Sequence, residues 1–177
     1  MLKPYTFTVD DFAVMVEAGL FHDQRVELLD GVIVDMTPAS PGHEFTIDVI
    51  SENLIRAFID RARVRVQNAV NIELSQWLPH PDIVLMKRKD YSEARPTPED
   101  IFLLIEVANT SLSLDKGQKR TLYAQVGITD YWIADLSRRI WIINRDPEGQ
   151  SYKTVEEVPF DQAVALLAFP EEARVWL

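Results

Sequence analysis

The segment Ile101-Phe102-Leu103-Leu104-Ile105-Glu106-Val107 is apolar on both parities, with one glutamate as the exception. Side chains of a β-strand alternate between two faces, so a strand without alternation has to bury both. A sheet covered on both faces needs helices to cover it, and this one run therefore selects a layered α/β architecture. The flanking segments agree. Thr8 followed by Val9 to Ala18, with acids in the first turn and Gly19 after it, predicts a short helix. Arg25–Leu29 and Val32–Met36 flank Asp30-Gly31, a pair suited to a type I′ turn, and predict a hairpin. The stretch from Thr37 to Gly42 breaks the strand, and Ile47, Ile50, Leu54 and Phe58 recur at helical spacing between His43 and about Arg61.

Further along, Arg63–Gln67 and Val70–Leu74 alternate like strands, with a polar interruption at Asn68. A turn at Pro79-His80-Pro81 precedes the strand Asp82–Met86. Asp115-Lys116-Gly117-Gln118 resembles a capping box that opens a helix running to Val126 and ending at Gly127. Tyr131–Leu136 and Ile140–Asn144 form a second hairpin, and the tail from Pro159 is weakly patterned. The order predicts a mixed sheet in a single domain over residues 1–177, without repeat or linker.

Composition narrows the chemistry. The 177 residues contain no cysteine, which removes disulfides, thiolate zinc sites and cysteine nucleophiles, and only three histidines, His22, His43 and His80. The amino-terminal residues lack a leader pattern and no apolar run approaches the roughly 18 residues of a membrane helix, so the expectation is a cytoplasmic protein without membrane association. Net charge is −10, which opposes a broad nonspecific grip on nucleic acid. The charge is uneven, however: residues 61–120 carry 10 basic and 8 acidic side chains, net +2. Only that middle third is suited to face phosphates.

Three residues could carry chemistry together. Asp82 heads one strand, Glu106 lies near the end of the next, and Lys119 follows Glu106 by thirteen residues on a helix. Neighbouring strands lie about 4.8 Å apart, so two acids at adjacent strand ends can share one divalent cation, and Mg²⁺ prefers one or two carboxylates with water and phosphate. An ionised Glu106 among Ile, Leu and Val is costly unless a cation or hydrogen bonds compensate it. Plainer readings stand beside these: Asp82 as a turn cap, Glu106 paired with an arginine, Lys119 as a solvated helix lysine. Glu27 shares parity with Leu29 and is a candidate third carboxylate or a supporting partner. His43, at the start of the long helix, is suited to touch a phosphate or carry a proton, or to serve as a cap. Gln67, expected midway along a central strand, could orient the lysine or a water; Tyr123, four residues after Lys119, is assigned to the core.

Val26-Glu27-Leu28-Leu29-Asp30-Gly31, Pro41-Gly42-His43, Pro81-Asp82-Ile83-Val84, Leu104-Ile105-Glu106-Val107, Asp115-Lys116-Gly117-Gln118-Lys119, Tyr123-Ala124 and Gly127-Ile128-Thr129-Asp130-Tyr131-Trp132-Ile133 occur in an order that resembles the Uma-type restriction endonuclease family of the PD-(D/E)XK nuclease superfamily. The similarity spans roughly residues 5–150. It implies a restriction endonuclease-like mixed β-sheet flanked by helices with additional β-hairpins, and an endonuclease that hydrolyses phosphodiester bonds of nucleic acid, DNA first. In that superfamily an aspartate and a glutamate hold the metal and a lysine assists the attacking water, which by resemblance makes them Asp82, Glu106 and Lys119. The usual lysine would stand two residues after the acid, where this chain has Ala108, so the resemblance implies an ammonium supplied from the helix. The implied mechanism has Asp82, Glu106 and the Val107 carbonyl holding Mg²⁺ or Mn²⁺, with Lys119 positioning the water. A homodimer is compatible with cutting two strands but is not legible in the sequence. Two alternatives remain: a catalytically inactive nuclease-fold module that binds a protein partner through its acidic surface, and a hydrolase of small phosphoesters.

Overall fold

The computed structural model describes residues 3–36 and 39–177. The expected strand break at Thr37–Pro38 lies outside the described residues. Thr8 caps helix α1 (Val9–Glu17) through a reciprocal bond with Asp11, which satisfies two backbone donors that a helix start would otherwise leave open. Strands β1 (Val26–Leu29) and β2 (Val32–Asp35) form the first hairpin. Its turn places Asp30 at φ 50° and Gly31 at φ 71°, and Gly31 is required: a Cβ there would lie 2.6 Å from Thr6. Helix α2 (Pro41–Phe58) starts earlier than its periodicity indicated, with Ser40 as the cap and Pro41 in the first turn.

The main sheet has six strands: β3 (Ala62–Val66), β4 (Ile83–Lys87), β5 (Ile101–Ala108), β6 (Asp130–Asp135), β7 (Ile140–Glu148) and β8 (Ser151–Pro159), in spatial order β3-β4-β5-β6-β7-β8. All neighbours are antiparallel except β5 and β6. Parallel neighbours need a crossover. Here it is helical: α3 (Leu112–Leu114), a π-helical turn (Asp115–Lys119) and α4 (Arg120–Gln125) in succession. The resulting mixed sheet flanked by helices and carrying extra hairpins is the architecture expected from sequence.

Each face of the sheet has its own core. On one face, Ile47, Ile50, Leu54 and Phe58 of α2 pack against Ile83, Leu85, Leu103, Ile105 and Val107. The hairpin of β9 (Val164–Leu166) and β10 (Phe169–Arg174) joins this core through Leu166, and Trp176 closes it by donating to the Val164 carbonyl at 2.8 Å. On the other face, Leu122 and Tyr123 of α4 cover Val84, Leu104, Ala108 and Ile133. Each fully buried aliphatic side chain contributes on the order of 1.5–3 kcal/mol, so two covered faces explain why β5 has no polar parity. Among the described residues no helix is long and apolar enough to cross a membrane.

Three expectations need correction. Val70–Leu74 is not a strand: Gln67 at φ 50° turns the chain out of the sheet, Asn71 N–H binds the Pro96 carbonyl, and Val70 and Ile72 are buried by loop packing. Alternation there reports burial without a ladder. Gln67 therefore does not lie midway along a central strand, but just beyond the end of β3, the sheet edge. Asp115 does not open the crossover helix, which begins at Leu112, and sits inside it. β8 follows β7 in a stretch for which the sequence carries no strand expectation, and the β9–β10 pair lies in the weakly patterned tail from Pro159.

Candidate active site

Antiparallel pairing of Ile83 with Ile105 carries Asp82 to a position opposite Glu106, and both lie on the sheet face under α4. The Asp82 carboxylate is fixed from three sides. Its Oδ2 accepts the Val107 N–H at 2.8 Å and stands 3.4 Å from His43 Nε2, while Oδ1 accepts from Gln67 Nε2 at 3.3 Å. Burial works to raise its pKa, yet the His43 ring, the Val107 N–H and Gln67 hold it below the usual carboxylate range. His43 is shifted up in return, chiefly by the bond to Asp82 and against burial, so the pair favours imidazolium beside carboxylate.

Lys119 points into the same cleft. Its ammonium lies 3.1 Å from Glu106 Oε1, 3.8 Å from Glu27 Oε1 and 3.9 Å from Asp115 Oδ1, and all four residues are at most 6% exposed. Burial alone would lower the lysine pKa, but three surrounding carboxylates reverse the sign and keep it protonated. Burial pushes Glu106 well above the usual range, opposed by Lys119 and reinforced by Asp115, Asp82 and Glu27. Burial also raises Asp115. The sequence reading expected Lys119 to reach Glu106 from the side of Asp82, and it does. Thus Asp82, Glu106, Lys119, Glu27 and His43 are gathered in one place, with the Val107 backbone of β5 bonded to Asp82.

How Glu27 arrives there is less direct. The β1–β2 hairpin is separate from the main sheet and docks onto the segment before β4: Leu78 N–H binds the Leu28 carbonyl and Gly31 N–H binds the Gln76 carbonyl, both at 2.8 Å. The His80 N–H then donates to Glu27 Oε2 at 3.2 Å. Gln67 contacts Asp82, not the lysine, and receives the Arg25 guanidinium at 2.9 Å.

Three residues contribute to the site in ways the sequence does not signal directly. Tyr123, assigned to the core, is buried but donates its hydroxyl to Glu106 Oε1 at 2.9 Å. Asp115, read as a cap, accepts from Ser111 Oγ at 2.6 Å on Oδ2, and its buried Oδ1 has no hydrogen bond. The signal was present: Asp115, Lys119 and Tyr123 recur every four residues, the spacing of one helix face. His80, unassigned, lines the cleft. Burial, then Arg95, Arg25 and Lys119, lower its pKa from 6.5 to about 4. A folded pKa below the unfolded one gives stability that is complete above pH 6.5 and lost as pH falls toward 4, worth about 3 kcal/mol in all. Urea midpoints should therefore drop more between pH 7 and pH 4 for the wild type than for His80→Gln; equal drops would show that His80 is not held neutral by the fold.

The cleft has a volume of about 410 Å³. Its donor set suits a hard cation: among the described residues both Lys119 and Tyr123 bind Oε1 of Glu106, leaving Oε2 without a hydrogen bond, and Asp115 Oδ1 accepts none either, its ion-pair contact with Lys119 being 3.9 Å. No three described histidine or acidic side chains converge tightly enough to hold an ion by themselves. Mg²⁺ commonly takes only one or two carboxylates, the remainder being water and phosphate.

No curated protein matches the chain. Among solved structures, the crystal structure of a putative nuclease belonging to DUF820 from Anabaena variabilis ATCC 29413 superposes with a TM-score of 0.66 at 19% identity, covering 96% of this chain and 95% of the other. That likeness establishes the shared fold. The family model named Uma2, described as "Putative restriction endonuclease", matches residues 9–175, and the chain belongs to the Uma2 family.

Proposed function

We propose that the chain is, as a single domain, a Mg²⁺- or Mn²⁺-dependent endonuclease acting on DNA. The observation that carries this reading is the placement of Asp82 and Glu106 face to face on neighbouring strands with a buried ammonium against the glutamate. Asp82, Glu106 and the Val107 carbonyl would hold the cation, which when bound polarises the scissile phosphate and acidifies a water. The chain's own groups then have separable duties. Lys119 stays protonated and offers N–H donors to the water and to charge developing on phosphate. Tyr123, Asp115 and Glu27 fix that ammonium or its glutamate partner. His43, whose Nε2 lies 3.4 Å from Asp82 Oδ2 and whose pKa that contact raises, would hand a proton to the leaving oxygen.

The test joins binding to turnover. Calorimetric titration with Mn²⁺ should give heat for the wild type and none for Asp82→Ala, and supercoiled plasmid should be nicked by the former only. Equal heats would remove Asp82 from the cation site. Heat without nicking of any nucleic acid would turn the reading toward a binding module.

A further inference from the structure

Fewer than half of the 18 lysines and arginines meet a carboxylate, among them Arg56, Arg61, Arg138, Lys153 and Arg174 at the surface, so what distinguishes a candidate substrate contact is its placement relative to the cleft. Among the described residues Arg63 and Arg65 have no such partner. They belong to β3, where Arg63 pairs with Met86 and Arg65 with Val84. Directly opposed residues share a sheet face, and Val84 and Met86 lie in the core beneath α4, so both arginines project on the face that carries Asp82 and Glu106. β3 is an edge strand of the sheet, and along it Arg63 is exposed and Arg65 half-buried.

The row leads to the cleft. Gln67, two residues beyond Arg65, donates to Asp82 and accepts from Arg25, a further arginine without a carboxylate partner among the described residues. Alternate residues of a strand are spaced by about 6.7 Å, which places Arg63 and Arg65 at successive steps away from Asp82. Arg65 is half-buried: its Nη1 is covered and without an acceptor among the described residues, which leaves the other guanidinium nitrogens as the donors a phosphate can reach. Asp90 lies close enough to feel Arg63, and its carboxylate accepts the Ser92 N–H at 2.9 Å without forming an ion pair with the arginine.

We propose that Arg63 and Arg65 form a phosphate track along the β3 edge that grips the DNA backbone and leads it past Gln67 into the cleft. The inference rests on the nuclease reading. A planar guanidinium fork matches phosphate oxygens in pairs, and phosphate contacts position a substrate without selecting its sequence.

The experiment measures anisotropy of a labelled DNA duplex across a salt series in EDTA, beside plasmid nicking with Mn²⁺. For Arg63→Gln/Arg65→Gln, affinity should fall about tenfold or more, and the slope of log affinity against log salt should shrink by about 1 per arginine removed. Arg63→Lys/Arg65→Lys should recover most of the slope, and Arg138→Gln should match the wild type. Arg63 is exposed, so Arg63→Gln alone keeps the fold and must still lower the slope by about 1. If the wild type nicks DNA while these variants keep its affinity and slope, the track is wrong and the nuclease reading stands. If the wild type neither binds nor nicks DNA, both fall.

Discussion

Lys119→Met is expected to destabilise the protein by about 3–5 kcal/mol near pH 8 and to reduce nicking by about 10²–10³-fold. The stability loss is large because the side chain is 6% exposed and its ammonium answers Glu106, Glu27 and Asp115 together. Without it, Glu106 and Asp115, already raised by burial, rise further. An acid whose folded pKa exceeds its unfolded value gives stability that is present below the unfolded pKa, near 4.5 for glutamate, and lost as pH climbs through the folded one. The gap between variant and wild type should therefore be small at pH 5 and wide at pH 8, read as urea midpoints. A gap independent of pH would mean that the lysine stem packs but the charge does little. Heat of Mn²⁺ binding should survive the substitution, since the lysine serves water and phosphate.

Glu106→Gln should separate stability from activity in the opposite way. An amide oxygen can still accept from Lys119 and Tyr123, and Lys119 remains balanced by Glu27 and Asp115, so the hydrogen-bond frame persists. The buried charge is gone. The cation-free variant should gain about 1–2 kcal/mol at pH 8, with the gain vanishing toward pH 5, while nicking is lost. Destabilisation by more than about 1 kcal/mol would identify the ionised carboxylate as the group that holds Lys119 in place, an ordinary structural role.

Glu106 was legible because a carboxylate in an apolar strand breaks a local rule, whereas Asp82 and Lys119 also read as a turn cap and a helix lysine and were joined to it by the family resemblance. Glu27 could be suspected from parity, but the hairpin docking that delivers it depends on contacts with Gln76 and Leu78 that have no periodic signature. Val70–Leu74 misled for a related reason. Burial every second residue looks the same whether the backbone pairs with a neighbour or, after Gln67, runs alone. Asp115 was hidden by its resemblance to a cap, since a capping box and the interior of a π-helical turn differ only in what precedes them. Tyr123 was placed correctly in the core, yet burial concealed that its hydroxyl is also a working donor.

The π-helical turn has a consequence for how this site tolerates change. Arg120 N–H reaches back five residues to the Asp115 carbonyl, which also receives the Tyr131 hydroxyl at 3.0 Å, so the turn holds one residue more than an α-helix would. Leu122 and Tyr123 are anchored in the core below. Removing any one of Lys116, Gly117 or Gln118, all exposed, would let the helix close into regular α form and swing its amino-terminal part by about 100° about the axis. Ser111 and Asp115 would leave the cleft while Lys119 stayed. Here the count of residues matters more than their identity: a surface stretch that would accept many substitutions is intolerant of a single deletion.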